Sequence, residues 1–260
     1  MTAAATLAGG STHPARGAQE VARATLVAVR RASRDVAGDP AGVWWARLAE
    51  RGPSSPEHSL VAVGSERFPD GTPVDLTSLP SRGRRPAGWL VDVRYRRTDG
   101  TVVHVEPAEA LAGRCPPLWF AEVHHATSGV PAVSLLAFRG TEFRPGSLVG
   151  PHEVAARGTR MTDRVGEVRW WTRSGVVDTV TVAPELRGRG IGRVLVTVAE
   201  ALRVLRGWAP LRSDGRLTDA GAAWLAAAPP SWAPRLARRT ERLPDEPAAA
   251  EPTGVARLFR

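Results

Sequence analysis

Apolar residues recur along this chain with two different periods, and the change of period marks where strands give way to helices. Ile191, Val194, Leu195, Val198, Leu202 and Leu205 return at steps of three and four, the spacing of one helical face. Arg193, Glu200, Arg203 and Arg206 fall largely off that face, and Gly207 follows as a stop signal. Immediately upstream, Val176 to Val182 is rich in β-branched residues with Asp178 as its one charge, which predicts a mostly buried strand. Two alternating runs between Trp89 and Val105 flank Thr98-Asp99-Gly100, the best hairpin signal in the chain. Ala132 to Phe138 and Val165 to Trp171 are further predicted strands. In the second, alternation sends one of Trp170 and Trp171 into the core and the other towards a cleft or solvent.

Outside these runs the pattern thins. Residues 1 to 18 are Ala, Gly, Thr and Ser with little to bury, and read as a disordered lead. From Glu20 to Glu50, Val21, Leu26, Val29, Val36, Trp44, Trp45 and Leu48 fit one or two helices broken at Gly38-Asp39-Pro40. Loop signals cluster from Arg51 to Pro56 and from Pro80 to Pro86. After Gly207, Ala209 to Asp214 reads as a strand and Thr218 to Ala228 as a helix, capped by Thr218 or Ser213 and ended by Pro229-Pro230. We therefore expect an N-terminal extension over 1–56, disordered and then helical, an α/β domain over 57–244, and a mobile tail over 245–260.

Between the predicted strand and the amphipathic helix lies Ala183-Pro184-Glu185-Leu186-Arg187-Gly188-Arg189-Gly190-Ile191-Gly192. Glycines let the backbone approach an anion closely, the unbonded N–H groups of a helix's first turn point at it, and the helix dipole favours negative charge there. Arg187, Arg189 and Arg193 add formal positive charge at the same place, so the segment is built to hold a pyrophosphate. A Walker loop would need a lysine, and the chain has none. A dinucleotide fingerprint would need a third glycine where Leu195 stands, and too little chain follows for the rest of a doubly wound sheet. The alternatives are another nucleotide, as in a nucleotide-dependent oxidoreductase, and an ordinary strand-turn-helix with glycines for close packing.

Arg187-Gly188-Arg189-Gly190-Ile191-Gly192 resembles the Gln/Arg-x-x-Gly-x-Gly/Ala loop of the GNAT acetyltransferases, and Val182-Ala183-Pro184 resembles the Val-x-Pro strand end that precedes it. Ser213 to Trp224 is similar, with Leu217 as an apparent insertion, to a Ser-x-x-Arg-Thr-x-x-Gly-x-x-Trp segment of some bacterial members. The likeness spans roughly residues 165–225. It implies an α/β fold with a mixed central sheet and flanking helices, splayed near the loop, with acetyl-CoA as co-substrate. It implies transfer of the acetyl group to a primary amine in a ternary complex. In that reading Val180, Thr181 and Val182 offer backbone to pantetheine, the Val182 N–H polarises the thioester carbonyl, and residues 187–193 hold the diphosphate.

Composition sharpens some of this. The net charge of +9 comes from arginine alone, lysine and asparagine are absent, and Ile191 is the only isoleucine. Those three have A/T-rich codons, so the arginine excess carries the stamp of a GC-rich genome, and we read it as a solvated surface rather than a nucleic-acid footprint. No apolar run is long enough for a membrane span, no secretory signal opens the chain, and the single Cys115, beside Pro116 and Pro117, fits a reducing cytoplasm and a loop. The oligomeric state stays open, a homodimer included.

An alkylammonium has a pKa of about 10.4, so acetyl transfer to an amine needs a base as well as a polarised carbonyl and a stabilised thiolate. Asp178 lies where many family members place a strand carboxylate, and its two-residue spacing to Val180 predicts the same strand face. Its alternative role is a partner for Arg169 or Arg173. The general acid that the family often draws from a tyrosine in the later helix is missing, since the only tyrosine is Tyr95 and Trp224 takes the comparable place. Ser213 is the remaining side-chain candidate, with a turn or cap as its other role. That gap leaves a catalytically inactive acyl-CoA-binding or interaction protein as the alternative function. His124-His125 face opposite ways on a strand and match no metal spacing, so no metal is expected. His152 could line an acceptor cleft or a plain surface loop.

Overall fold

The computed structural model describes residues 43–52, 54–64, 73–78, 85–125, 130–226 and 239–244. The lead, the helices expected between residues 20 and 42, most of the loop from Pro80, and the tail from Asp245 lie outside the described residues.

Two five-stranded sheets carry the fold. The first joins β1 (Val43–Ala49), β2 (Glu57–Gly64), β3 (Pro73–Asp75), β4 (Trp89–Arg96) and β5 (Val102–Pro107) in the order β3-β1-β2-β4-β5. The second joins β6 (Trp119–His125), β7 (Ala132–Phe138), β8 (Leu148–Val149), β9 (Gly166–Trp171) and β10 (Val177–Val182) in the order β10-β9-β7-β6-β8. Both are mixed: β3 runs parallel to β1 and β8 parallel to β6, and the other pairs are antiparallel. Among the described residues four helices accompany them: α1 (Glu109–Ala112), α2 (Pro151–Ala156), α3 (Ile191–Arg206) and α4 (Asp219–Ala226). Two short strands, β11 (Arg216–Leu217) and β12 (Glu241–Arg242), pair with each other. The chain is thus mixed α/β with two sheets and few helices, where a single central sheet was expected.

Helix α3 lies between the sheets. It packs on β9, β10 and β7 of one and on β4 and β2 of the other. One apolar cluster accordingly gathers Leu60 and Val93 from the first sheet, Leu135 and Val168 from the second, and Leu195 and Leu202 from the helix. Burying each such leucine contributes about 1.5–3 kcal/mol. The helical period identifies only one of the two buried sides. Val196 and Val204 supply the other, and Glu200 and Arg203, expected off the packed face, are buried as well. They are tolerable there because they are paired: Arg203 Nε donates to Glu200 Oε2 at 2.7 Å, and Glu200 Oε1 accepts the Leu211 N–H at 3.1 Å.

Trp44, Trp45 and Leu48, expected on a helix, belong instead to strand β1, which pairs with β2 along its whole length. Val-Trp-Trp-Ala-Arg-Leu-Ala is buried on both faces: Trp45 enters the cluster around α3 while Trp44 and Leu48 enter a second cluster on the far side of the sheet. Propensity favours a strand for such a run, and a helical period cannot be tested over so few residues. Residues 43–49, placed in the expected extension, are therefore hydrogen-bonded into the same sheet as residues 57–64. The strand expected over Ala209 to Asp214 is reduced to one parallel bridge between Val176 and Arg212. The hairpin around Thr98-Asp99-Gly100 joins β4 to β5, and Trp170 is fully buried while Trp171 is half-buried.

Because α3 is enclosed on both sides, Leu195→Ala should lower unfolding free energy by about 2–5 kcal/mol in urea titration. Val103→Ala, at an exposed position of β5, should change it by less than about 0.5 kcal/mol.

Candidate functional site

Strand β10 ends the second sheet, and among the described residues no strand pairs with its outer edge. Ala183 N–H donates to Val165 O at 3.0 Å, on the β9 side. Antiparallel alternation then turns the Thr181 N–H to β9 as well, and the N–H and C=O of Val180 and Val182 outwards. On that outer side β10 touches its neighbour only at its root, through the Val176–Arg212 bridge and a 2.9 Å bond from Val177 N–H to Arg212 O. Beyond it no hydrogen bond joins the two segments among the described residues. Val182 O accepts from Arg187 Nε at 3.2 Å, which folds the loop's first arginine back along this edge.

A 3-10 turn over Pro184–Leu186 buries Leu186 and delivers the chain to Arg187-Gly188-Arg189-Gly190. Gly190 caps α3 at φ 86°, and a Cβ there would stand 2.9 Å from the Ala112 carbonyl of α1. The loop is thus seated on the C-terminal end of α1, a contact joining residues that the sequence separates widely. The first helical bond runs from Val194 N–H to Gly190 O at 3.0 Å, and among the described residues no hydrogen bond takes up the N–H groups of 188–193. Arg187 and Arg189 are exposed and Arg193 half-exposed, and none of the three forms an ion pair among the described residues. Bare amides, a helix's positive end and three guanidinium groups without a carboxylate partner among the described residues are the elements an anion site needs.

Trp224, on α4, closes one side of this region. Its Nε1 would lie 3.5 Å from a Cβ placed at Gly192, next to the side chains of Val182 and Val180. Thr218 positions α4, its Oγ1 accepting the Gly221 N–H at 3.0 Å, so of the two expected caps Thr218 is the one used. Ser213 instead accepts the Gly215 N–H at 3.0 Å and shapes a turn.

Asp178 departs from its expected orientation. The β9–β10 register shifts between Val177 and Thr179, so Asp178 is the extra residue of a bulge. Its Oδ2 accepts from Arg169 Nε at 2.6 Å and also from Arg169 Nη2. Val168 and Trp170 belong to the cluster around α3, so Arg169 and its aspartate lie on the opposite sheet face, whereas Val180 approaches Gly192 on the helix side. A bulge breaks the two-residue repeat on which a shared face with Val180 rested. Nor is β10 mostly buried: Asp178 and Val180 are exposed, as befits an edge strand.

On that same face a row of side chains escaped the sequence reading. Ser134 Oγ donates to Glu167 Oε1 at 2.8 Å, His125 Nε2 lies 2.9 Å from Ser134 Oγ, and Arg164 Nε pairs with Glu167 Oε2 at 3.0 Å. Three strands supply Ser134, His125 and Glu167, the segment before β9 supplies Arg164, and no local motif links them. His124 turns to the other face, His152 is an exposed residue of α2, and among the described residues no group of three metal-ligating side chains forms. Burial pushes the Cys115 thiol up to about 11. Among the described residues no helix is long and apolar enough to cross a membrane. The chain matches no protein-family model, no curated protein and no solved structure.

Gly188 shares the positive φ of Gly190 but faces open space. Gly188→Ala should therefore cost about 1–2 kcal/mol in denaturant titration, and Gly190→Ala distinctly more, because α1 must also give way. At pH 8 the native Cys115 thiol should react with iodoacetamide about a hundredfold more slowly than in the denatured chain, since burial keeps it protonated.

Proposed function

We propose that this chain is a GNAT-like N-acetyltransferase that moves an acetyl group from acetyl-CoA to a primary amine of a small molecule or peptide. One observation carries the reading: the open edge of β10 runs directly into a loop of bare amides and unpaired arginines. An elongated ligand with a diphosphate at one end and amide groups along its arm matches both parts at once. The diphosphate would sit at Arg187, Gly188, Arg189, Gly190, Ile191, Gly192 and Arg193. The arm would pair with Val180 and Val182, Thr181 contributing through its place in the ladder rather than through its own amide.

Acetyl-CoA would supply an activated thioester. The Val182 N–H, fixed by the β9 ladder, would donate to the carbonyl oxygen as negative charge grows there. The amine nitrogen attacks the carbonyl carbon, a C–N bond forms, the C–S bond breaks, and the amine loses a proton. Asp178 is the candidate base. Arg169 occupies its Oδ2, and no hydrogen bond to Oδ1 is formed among the described residues, which leaves that oxygen to accept a proton. Ser213, whose Oγ accepts from Gly215, is the candidate acid in that its own O–H would donate a hydrogen bond to the departing thiolate, while the proton released by the amine balances the thiolate charge.

A second reading, an acyl-CoA-binding protein without transferase activity, is favoured by the same Arg169–Asp178 pair and by Tyr95 lying buried in β4 rather than on α4. Calorimetry with CoA and a thiol-release assay over an amine panel separate the two. The double variant Arg187→Glu, Arg189→Glu should weaken CoA binding by about a hundredfold at low salt. Asp178→Asn should slow amine-dependent thiol release by about tenfold or more while leaving CoA affinity nearly unchanged. An unchanged rate removes Asp178 from the mechanism, and no heat with CoA removes the whole reading.

A further inference from the structure

At the other end of α3, about 24 Å from the loop at 1.5 Å per residue, the second sheet holds an open cleft of about 580 Å³. Its walls include His124, His125, Val133, Thr172, Arg173 and Trp208, and Gly207 brings in the carbonyl end of α3. The volume lies within the range of small-molecule sites.

The hydrogen bonds behind the walls decide what the cleft offers. Glu122 is buried and clasped by both Nη atoms of Arg206, and its Oε1 lies 2.9 Å from His124 Nε2. A carboxylate only accepts, so neutral His124 carries its proton on Nε2 and is left with a bare Nδ1 lone pair. Ser134 Oγ gives its proton to Glu167, so it accepts from His125 Nε2 and likewise leaves His125 Nδ1 as an acceptor. Two imidazole acceptors, one from each face of the strand end, therefore flank the cleft. The terminal carbonyls of α3 add a third acceptor of negative character. The charges nearby are already spent, Glu122 on Arg206 and Glu167 on Arg164. Arg173 is exposed on the rim and forms no ion pair among the described residues. Trp208 presents an indole edge, its ring set by His124 edge-on at 6.2 Å and by the Arg206 guanidinium at 4.9 Å.

We propose that this cleft is a second binding site for a small zwitterion of the α-amino-acid class, its ammonium donating to His124 Nδ1 and the carbonyl end of α3 and its carboxylate meeting Arg173. The side chain of such a ligand would rest on Val133 and Trp208. This assignment does not depend on the acyl-carrier reading.

The test is calorimetry on the full chain at pH 8 with L-leucine and L-phenylalanine beside N-acetyl-L-leucine and L-leucinamide. Both amino acids should bind, and loss of either charged group should weaken binding about tenfold or more. His124→Phe and Arg173→Ala, both at accessible positions, should each do the same without lowering the melting temperature appreciably. Binding should weaken as pH falls through the histidine range, because protonated imidazoles present N–H donors and positive charge to the ammonium. His124 faces Glu122, Arg206 and Trp208. His125 faces Ser134, Glu167 and Arg169, and burial holds the pKa of both imidazoles below the ordinary histidine value, so the loss falls at the acid end of that range. Absence of heat at about 10 mM amino acid overturns the proposal. So does equal affinity for the N-acetyl derivative, or binding that tightens on acidification, which would mark an anion site instead.

Discussion

The structure turns on a helix with no free side. Helix α3 is clamped between two sheets, so most of its side chains must satisfy an apolar interior, and the few that are polar must find partners inside it. Glu200 meets this demand by bonding Arg203 and the Leu211 backbone, which also fixes where the chain goes after the helix ends. Two other features follow from the same enclosure. The sheets are held apart at a fixed spacing, and both ends of α3 are delivered to set places, its amide end against α1 and its carbonyl end against β6 and β9.

The candidate sites are the two ends of that helix. At the first, the geometry is mostly backbone: an unpaired strand edge, unbonded amides and a glycine pressed on the Ala112 carbonyl. Such a site is insensitive to most side-chain changes and depends on close packing beneath it. The arginines of the chain divide by whether a carboxylate holds them. Arg85, Arg164, Arg169, Arg203 and Arg206 are each consumed by a carboxylate, whereas Arg187, Arg189 and Arg193 have none among the described residues. At the carbonyl end the chemistry is of side chains, with imidazoles whose tautomers are set from behind by Glu122 and by the Ser134–Glu167 pair.

Strand-loop-helix order was readable because each part has a local cause. Periodicity marks α3, β-branched residues mark β10, and glycine with arginine marks the loop between them. The hairpin at Thr98-Asp99-Gly100 and strand β7 were readable for the same reason. The errors share a different cause. A bulge at Asp178 depends on how β9 and β10 settle against each other, so counting by twos along one strand put the carboxylate on the wrong face. Trp44-Trp45 carries apolar character that suits either element, and only pairing with β2 makes it a strand.

Local composition settled the β4–β5 hairpin, strands β7, β9 and β10, where α3 begins and ends, and that its leading loop concentrates positive charge and flexible backbone, because these depend on neighbours within a few residues. Tertiary packing alone decided that a second sheet covers the other side of α3, that Glu200 and Arg203 are interior, that Asp178 is held by Arg169 away from the helix, and that His125, Ser134 and Glu167 form one row. Those outcomes rest on contacts between residues far apart in the chain, and a linear pattern records the tendency of each segment but not the partner it finds.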